Sequence, residues 1–199
     1  MQLIPEAAFD CLFVANRLQA RARSFASPEL HVFTYLACLL SLYRGRSAAD
    51  WGYEFVGTEL GAPFSQQIDA ALRELLSRGY LVRTSDRLQM LELADQRLRD
   101  FDHLNLNQER AECLKAACAT TAAFSVGMVT SALSQEPELQ RSNALPSNRQ
   151  LLEDAGLSQI YALFEALRGG LNQETSDLRL PAVVWLAALY RAGEATTPS

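Results

Sequence analysis

Gln66, Gln67, Arg73 and Arg78 fall within one short stretch of this 199-residue chain, and their side chains are of the kind that read nucleic-acid edges. A glutamine amide pairs with the N6/N7 edge of adenine, and an arginine fork with the O6/N7 edge of guanine. Arg83 and Arg87 follow at a distance that suits phosphate or minor-groove contact from a neighbouring turn. The same stretch carries Asp69 and Glu74, which repel a phosphate backbone. Residues 28–101 hold eight arginines against ten carboxylates. A duplex reader usually brings a positive surplus, because phosphate neutralisation supplies most non-specific affinity. Two uses therefore stay open for this stretch: contact with DNA, and contact with a protein partner.

Groups for covalent or acid–base chemistry are few. His31 and Cys38 stand seven residues apart on one face of a helix, separated by about 10 Å of rise, too far for a thiolate–imidazolium pair. Asp100, Asp102 and His103 form a short polar run that reads as solvated surface. The chain has two histidines and lacks the HExxH, phosphate-loop and GxSxG patterns. The expectation is a protein that is not an enzyme, with no cofactor and no metal. Cys11, Cys38, Cys113 and Cys118 lie scattered, without the close pairs of a zinc site or the density of a disulfide scaffold. Reduced thiols and a cytoplasmic location are expected.

The elements that would hold the reading residues span 63–101. Pro63, Phe64 and Ser65 read as a helix opening, where proline fits the first turn. Ile68, Leu72, Leu75 and Leu76 recur at helical spacing, and Gly79 closes the helix. Tyr80-Leu81-Val82 and residues 88–93 read as strands joined by the polar turn Thr84-Ser85-Asp86. Upstream, residues 5–24 form a helix with Phe9, Leu12, Phe13 and Val14 on its apolar side. Arg17, Arg21 and Arg23 load its C-terminal end, where the helix dipole favours cations. Ser27 and Pro28 start a second helix over 29–43 that is apolar nearly all round, and Ser47 and Asp50 open a short third one. Helix, short helix, longer helix, two-stranded wing is the order of a winged-helix domain.

Beyond residue 101 the pattern predicts a long helix over 107–134. Its stretch 116–133 is uncharged, yet too rich in Ala, Thr, Ser and Gly for a membrane span, so a closely packed core helix is expected and no membrane contact. Pro137 and Pro146 mark 135–147 as a linker. Residues 148–168 have the spacing of a second helix-turn-helix: a short helix, a turn at Ala155-Gly156-Leu157, and Ser158 capping a second helix that Gly169-Gly170 ends. That second helix presents Gln159, Ile160, Tyr161, Phe164 and Glu165; Tyr161 and Phe164 suit a protein partner better than phosphate. Pro181 begins a final apolar helix over 182–190.

The expected fold is mainly α: an N-terminal helical arm (1–26), a winged-helix domain with a small two-stranded wing (27–101), and a helical C-terminal domain (102–199). An apolar share of 49% is enough for a normal core. The net charge of −5 and the pI of about 5.1 have the wrong sign for a protein living on nucleic acid. The N-terminus has no cation ahead of its apolar residues, so it does not read as a signal peptide. Lys115 is the one lysine among 18 basic residues. Arginine suits bidentate pairing at interfaces and is also what a GC-rich genome yields. Trp51, Tyr53, Phe55, Phe64, Tyr161, Phe164 and Trp185 either complete the cores or anchor an interface.

The stretch Leu72-Arg-Glu-Leu-Leu-Ser-Arg-Gly-Tyr-Leu-Val82, followed by Leu88-Gln-Met-Leu-Glu-Leu-Ala94, resembles the third helix and wing of many bacterial winged-helix proteins. That likeness covers about a third of the chain and specifies fold better than task. With a second helix-turn-helix-like motif in an acidic chain of this size, the whole is similar to the small winged-helix subunits of SMC- or ABC-type ATPase complexes. These include the tandem winged-helix partners of bacterial condensins and the small middle components of three-component ABC-ATPase anti-phage systems such as Lamassu. The resemblance implies a non-catalytic accessory subunit that bridges or regulates a DNA-engaged coiled-coil ATPase and holds a nuclease effector in check, touching DNA indirectly or weakly. The uncharged helix between the motifs is not part of a tandem winged-helix plan, and no clear strand pair follows the second motif. The other reading is a transcription regulator, a homodimer through its C-terminal helices, that reads duplex DNA with Gln66, Gln67 and Arg73.

Overall fold

The computed structural model describes residues 4–102, 108–143, 149–171 and 177–196. It is mainly helical, with small antiparallel sheets. Helix α1 (Pro5–Ala22) opens with proline in its first turn, the position where a missing N–H costs nothing. Ten of its residues are buried, and it packs against α2 (Ser27–Tyr43), α3 (Gln66–Ser77), α4 (Glu92–Asp102), α5 (Gln108–Ala119) and strand β4 (Arg87–Met90). The expected N-terminal arm is thus a central helix. Its apolar stripe is too wide to be left in water: each fully buried Leu or Phe is worth about 1.5–3 kcal/mol. Helix α2 is buried from Leu30 to Tyr43, as its all-round apolar sequence requires.

A 3₁₀ turn (Ala48–Trp51) follows, capped by Ser47 and Asp50 in a reciprocal capping box. Strand β1 (Val56–Gly57) then pairs antiparallel with β2 (Pro63–Phe64). Pro63 and Phe64 therefore belong to a strand, and α3 begins after its N-cap Ser65, whose hydroxyl accepts from the Ile68 N–H at 3.5 Å. A proline has no N–H to give a ladder, so it is tolerated here because β2 lies at the sheet edge. Strands β3 (Leu81–Thr84) and β4 form a hairpin where the sequence predicts one, but its turn is only Ser85 (φ 54°) and Asp86. Thr84 is paired in the ladder, and Glu92 and Leu93, read as strand, open α4. The outer edge of β4 is closed by the chain itself. Phe25 exchanges two backbone hydrogen bonds with Leu88, and the Gln19 amide bonds both the N–H and the C=O of Met90.

The C-terminal half departs from the sequence reading in four places. The long helix is broken: α5 tightens into a 3₁₀ turn (Thr120–Ala122), and α6 (Val126–Leu133) restarts at a 115° bend. The Thr120 and Thr121 hydroxyls bond back to the Ala117 and Cys118 carbonyls, and Ser125 caps the new helix through the Met128 N–H. Hydroxyls that compete for backbone groups favour ends over helix interiors. No single described helix is long and apolar enough to cross a membrane; α5 and α6 pass only as a bent pair.

The expected linker is in part a helix, α7 (Pro137–Asn143). The buried Glu136 carboxylate caps it, accepting from the Glu138 and Leu139 N–H groups at 3.1 and 3.0 Å and from the Tyr35 hydroxyl at 3.1 Å. No helix-turn-helix forms at 149–168. Arg149 and Gln150 make a strand, β5, on the free edge of β1, and α8 (Asp154–Leu171) runs unbroken through Gly156, Gly169 and Gly170. Gly156 serves close packing instead of a turn: a Cβ there would overlap the Glu138 carboxyl, and one at Gly57 would overlap the Ser142 hydroxyl. These two glycines let α7 sit flush on α8 and β1. Helix α9 (Arg179–Thr196) starts two residues before Pro181 and packs mainly on α6. One continuous buried cluster extends from Ala7 to Leu189.

That cluster encloses a polar tie. Asp10 on α1 is fully buried and receives the Arg110 fork from α5 at 2.6 and 2.7 Å. The Tyr53 hydroxyl donates to the same carboxylate, and Arg110 also donates to the Trp51 carbonyl at 2.8 Å while lying 3.9 Å above the Trp51 ring. Burial raises the Asp10 carboxyl, and the charge and hydrogen bonds of Arg110 pull it back. Arg110 is itself desolvated, yet the carboxylate holds its proton more firmly than usual. Because an arginine does not lose its proton and three donors converge on Asp10, the pair stands ionised. Removing one partner strands a buried charge, whereas replacing both with apolar side chains often costs little. Arg110→Ala is expected to lower unfolding stability by about 3–5 kcal/mol. The double variant Asp10→Leu/Arg110→Met should lose less, as urea denaturation will show.

Candidate functional site

The surface that carries most of the reading residues is the outer face of α3. Ile68, Ala71, Leu72 and Leu75 anchor its inner face. His31 fixes its start: the imidazole Nδ1 accepts the Ser65 N–H at 3.1 Å and the ring stacks on Phe64 at 4.8 Å. Gln66 and Arg73 are exposed, and their spacing of seven places them on one helix face. Gln67 is half-buried, its Oε1 accepting from the Ser65 hydroxyl at 3.1 Å.

The guanidiniums on α3 are not free. Arg73 pairs with Asp69 at 2.9 Å and Arg78 with Glu74 at 2.5 Å, each one turn back along the helix. Such exposed pairs are worth only a few tenths of a kcal/mol, but they cancel the charge of the face. In the hairpin, Arg87 is a strut: it bonds Glu29 at 3.2 Å, the Ser24 hydroxyl at 3.3 Å and the Ser24 carbonyl, tying the wing to the α1–α2 junction. Arg83 is exposed and has no ion pair among the described residues. The structure thus brings Gln66, Arg73 and Arg78 onto one helix, leaves Arg83 exposed on the adjoining hairpin, and ties the exposed Arg87 to Glu29 and Ser24.

The second pair of expected contact residues separates. Tyr161 is exposed on α8, whereas Phe164 is buried between Tyr43 and Trp185, with ring centroids 5.5 and 5.3 Å away. Phe164 is a core residue, because on α8 it falls in line with buried Gly156 and Ile160, the stripe that meets the body. Trp51, Tyr53, Phe55 and Trp185 are core residues too.

Among the described residues, the one histidine and the four cysteines are all withdrawn from solvent. His31 and Cys38 are both buried. Burial raises all four thiols, Cys113 to about 11 and Cys118 to about 12, which keeps them protonated and unreactive. Asp100 is exposed and 3.9 Å from Arg97; the Asp102 side chain and His103 lie outside the described residues. Among the described residues no three His, Cys, Asp or Glu side chains gather as a metal site. A cleft of about 710 Å³ lies between the Ser47–Glu54 region and residues 150–153. Its lining includes Glu54, Gln150, Glu153 and Leu152, the last at φ 63°. Two carboxylates and an amide can hydrogen-bond a polar segment there, but they assemble no acid–base pair with a nucleophile.

Sequence reasoning missed the polar groups that hold these surfaces in place. The Asp10–Arg110–Tyr53 tie joins residues up to 100 positions apart, so no local pattern announces it. Glu136 sat in a presumed linker. Burial pushes its carboxyl up to about 7, against the pull of its two backbone donors and Tyr35. No protein-family model, curated protein or solved structure matches this chain.

The His31 contact yields a pH signature. Burial lowers its imidazole to about 4, against a smaller opposing pull from Asp69, while the unfolded value is about 6.5. The unfolded chain therefore takes up the proton first, so stability is full above pH 6.5 and falls as pH drops from 6.5 towards 4. At pH 5 the loss is about 2 kcal/mol. His31→Asn keeps an acceptor near Ser65 without the titration. The stability gap between wild type and variant, from urea midpoints at pH 7.5 and 5, should narrow by that amount; a pH-independent gap would contradict the contact.

Proposed function

We propose that this chain is a non-catalytic accessory subunit of a DNA-engaged multiprotein complex, built on a winged-helix core and working with a coiled-coil SMC/ABC-type ATPase in the cytoplasm. One observation favours this over direct reading of DNA: each arginine on the would-be recognition helix is cancelled by a carboxylate one turn away. A face with no positive surplus gains little from counterion release and suits a protein partner better. Exposed Leu91 and Leu93, after the hairpin, and Tyr161 and Leu163 on α8 offer apolar contact area. The resemblance to three-component defence systems extends the proposal to an anti-phage role in which a nuclease effector is held inactive.

The second reading, a dimeric transcription regulator, keeps one supporting observation: Gln66 and Arg83 are exposed, and Arg83 has no ion pair among the described residues. It requires that Arg73 leave Asp69 for a base or a phosphate, a cheap exchange given the low worth of an exposed pair.

A nuclease-treated pull-down of the tagged protein from its native host, read by mass spectrometry, separates the two. Stoichiometric recovery of a large ATPase is the expected result. Recovery of a homodimer alone, together with a tenfold or greater loss of duplex affinity in Arg73→Ala (about 1–3 kcal/mol for a lost bidentate contact), would replace the subunit reading with the regulator.

A further inference from the structure

The arginines of this chain are unevenly matched. Ten of the 17 pair with a carboxylate, although the chain is acidic overall. Arg17, Arg21 and Arg23, at the C-terminal end of α1, are exposed and have no such partner among the described residues. Residues 11–28 contain no carboxylate, and residues 116–135 contain no charge of either sign. These segments meet in space, because α1 packs along α5, whose C-terminal part opens the uncharged run. Of the carboxylates on neighbouring elements, Asp95 of α4 accepts the Asn16 amide at 2.8 Å and keeps its charge, while Glu29 of α2 is paired with Arg87.

The hairpin adds a fourth cation on one flank. Arg83 pairs with Leu88, and Leu88 bridges Phe25, so the Arg83 and Phe25 backbones are two strand spacings, about 10 Å, apart. The helix end itself offsets only about half a charge. Arg17 is steadied by lying 5.1 Å above the Phe13 ring. Three arginines against one nearby carboxylate, Asp95, with Arg83 on the flank, therefore leave a local positive surplus on a protein of net charge −5.

The chemistry of the patch selects its partner. Protein interfaces are built around apolar and aromatic anchors, and an interfacial membrane helix needs large apolar side chains to insert. The exposed large apolar residues, among those described, all lie elsewhere than on α1. Guanidinium with small and hydroxyl neighbours is what a phosphate backbone requires. We infer that the C-terminal end of α1, through Arg17, Arg21 and Arg23 with Arg83 beside them, is a sequence-independent contact for the phosphate backbone of duplex DNA. This placement rests on the reading of the protein as part of a DNA-engaged complex, and it moves the DNA-facing surface away from α3.

Fluorescence anisotropy with a labelled duplex of about 30 base pairs and arbitrary sequence tests it. With three phosphate contacts, raising salt from about 50 to 200 mM should weaken binding about 40-fold. Each single Arg→Ala substitution should flatten the salt slope by about one. The triple variant Arg17→Ala/Arg21→Ala/Arg23→Ala, checked for an unchanged melting temperature, should lose binding, while Arg73→Ala/Arg78→Ala should not. Undetectable binding at 50 mM salt, or equal binding by the triple variant, would overturn the inference. Binding of polyglutamate but not DNA would overturn it in favour of an acidic protein segment. Recovery of an ATPase in the pull-down alongside any of these failures would leave the subunit reading standing and remove only the DNA surface.

Discussion

A buried arginine fork holds the middle of this protein together. Arg110 reaches from α5 to both oxygens of Asp10 on α1 and to the Trp51 carbonyl, and lies flat on the Trp51 ring. Tyr53 completes the carboxylate from the strand side. Three separate regions of the chain are thereby fixed to one point that water cannot reach. Burying two charges is costly, and their attraction offsets that cost only when the geometry is good and the remaining lone pairs are satisfied. Both conditions hold here. The energetic gain over an apolar pair is small, so the contribution of this tie is directional: it specifies how α1, α5 and the 3₁₀ turn are oriented, which apolar contacts alone leave loose.

From that fixed centre the other polar contacts work as spacers. His31 sets the start of α3 by accepting the Ser65 N–H, and Gln19 sets the height of the hairpin by bonding both backbone groups of Met90. Glu136 sets the start of α7, and Gly57 and Gly156 supply the clearance that lets this helix lie close. His31 and Glu136 are buried polar groups with their partners present, the condition under which such groups specify structure. The outer face of α3 and the hairpin inherit their positions from these contacts.

Charge on the outside is arranged by distance along the helix. On α3, carboxylates placed four residues before arginines neutralise the face that would meet bases. On α1, arginines without such neighbours accumulate at the end where the dipole tolerates them. Under the proposed accessory role, this pattern would leave α3 to a protein partner and the end of α1 to phosphate. Such a division would reconcile an acidic chain with the proposed DNA-engaged assembly.

Local patterns in the sequence were enough for the elements whose stability is local. The apolar spacing of Ile68, Leu72 and Leu75, the polar turn at Ser85-Asp86 and the all-round apolar α2 all appear where the residues place them, because helical and strand periodicity are fixed by backbone geometry. The i, i+4 cancellation of Arg73 and Arg78 is likewise written in the residue order. Tertiary structure decided the rest. Gly156 looks like a turn residue until the Glu138 carboxyl occupies its Cβ position. Phe164 looks like an interface anchor until α9 brings Trp185 against it. Arg149 and Gln150 become a strand only because β1 offers an unpaired edge. Asp10 and Arg110 become the centre of the fold only once α1 and α5 lie side by side. In each case the deciding partner is distant along the chain, and a contact whose energy depends on a partner's position leaves no trace in local sequence.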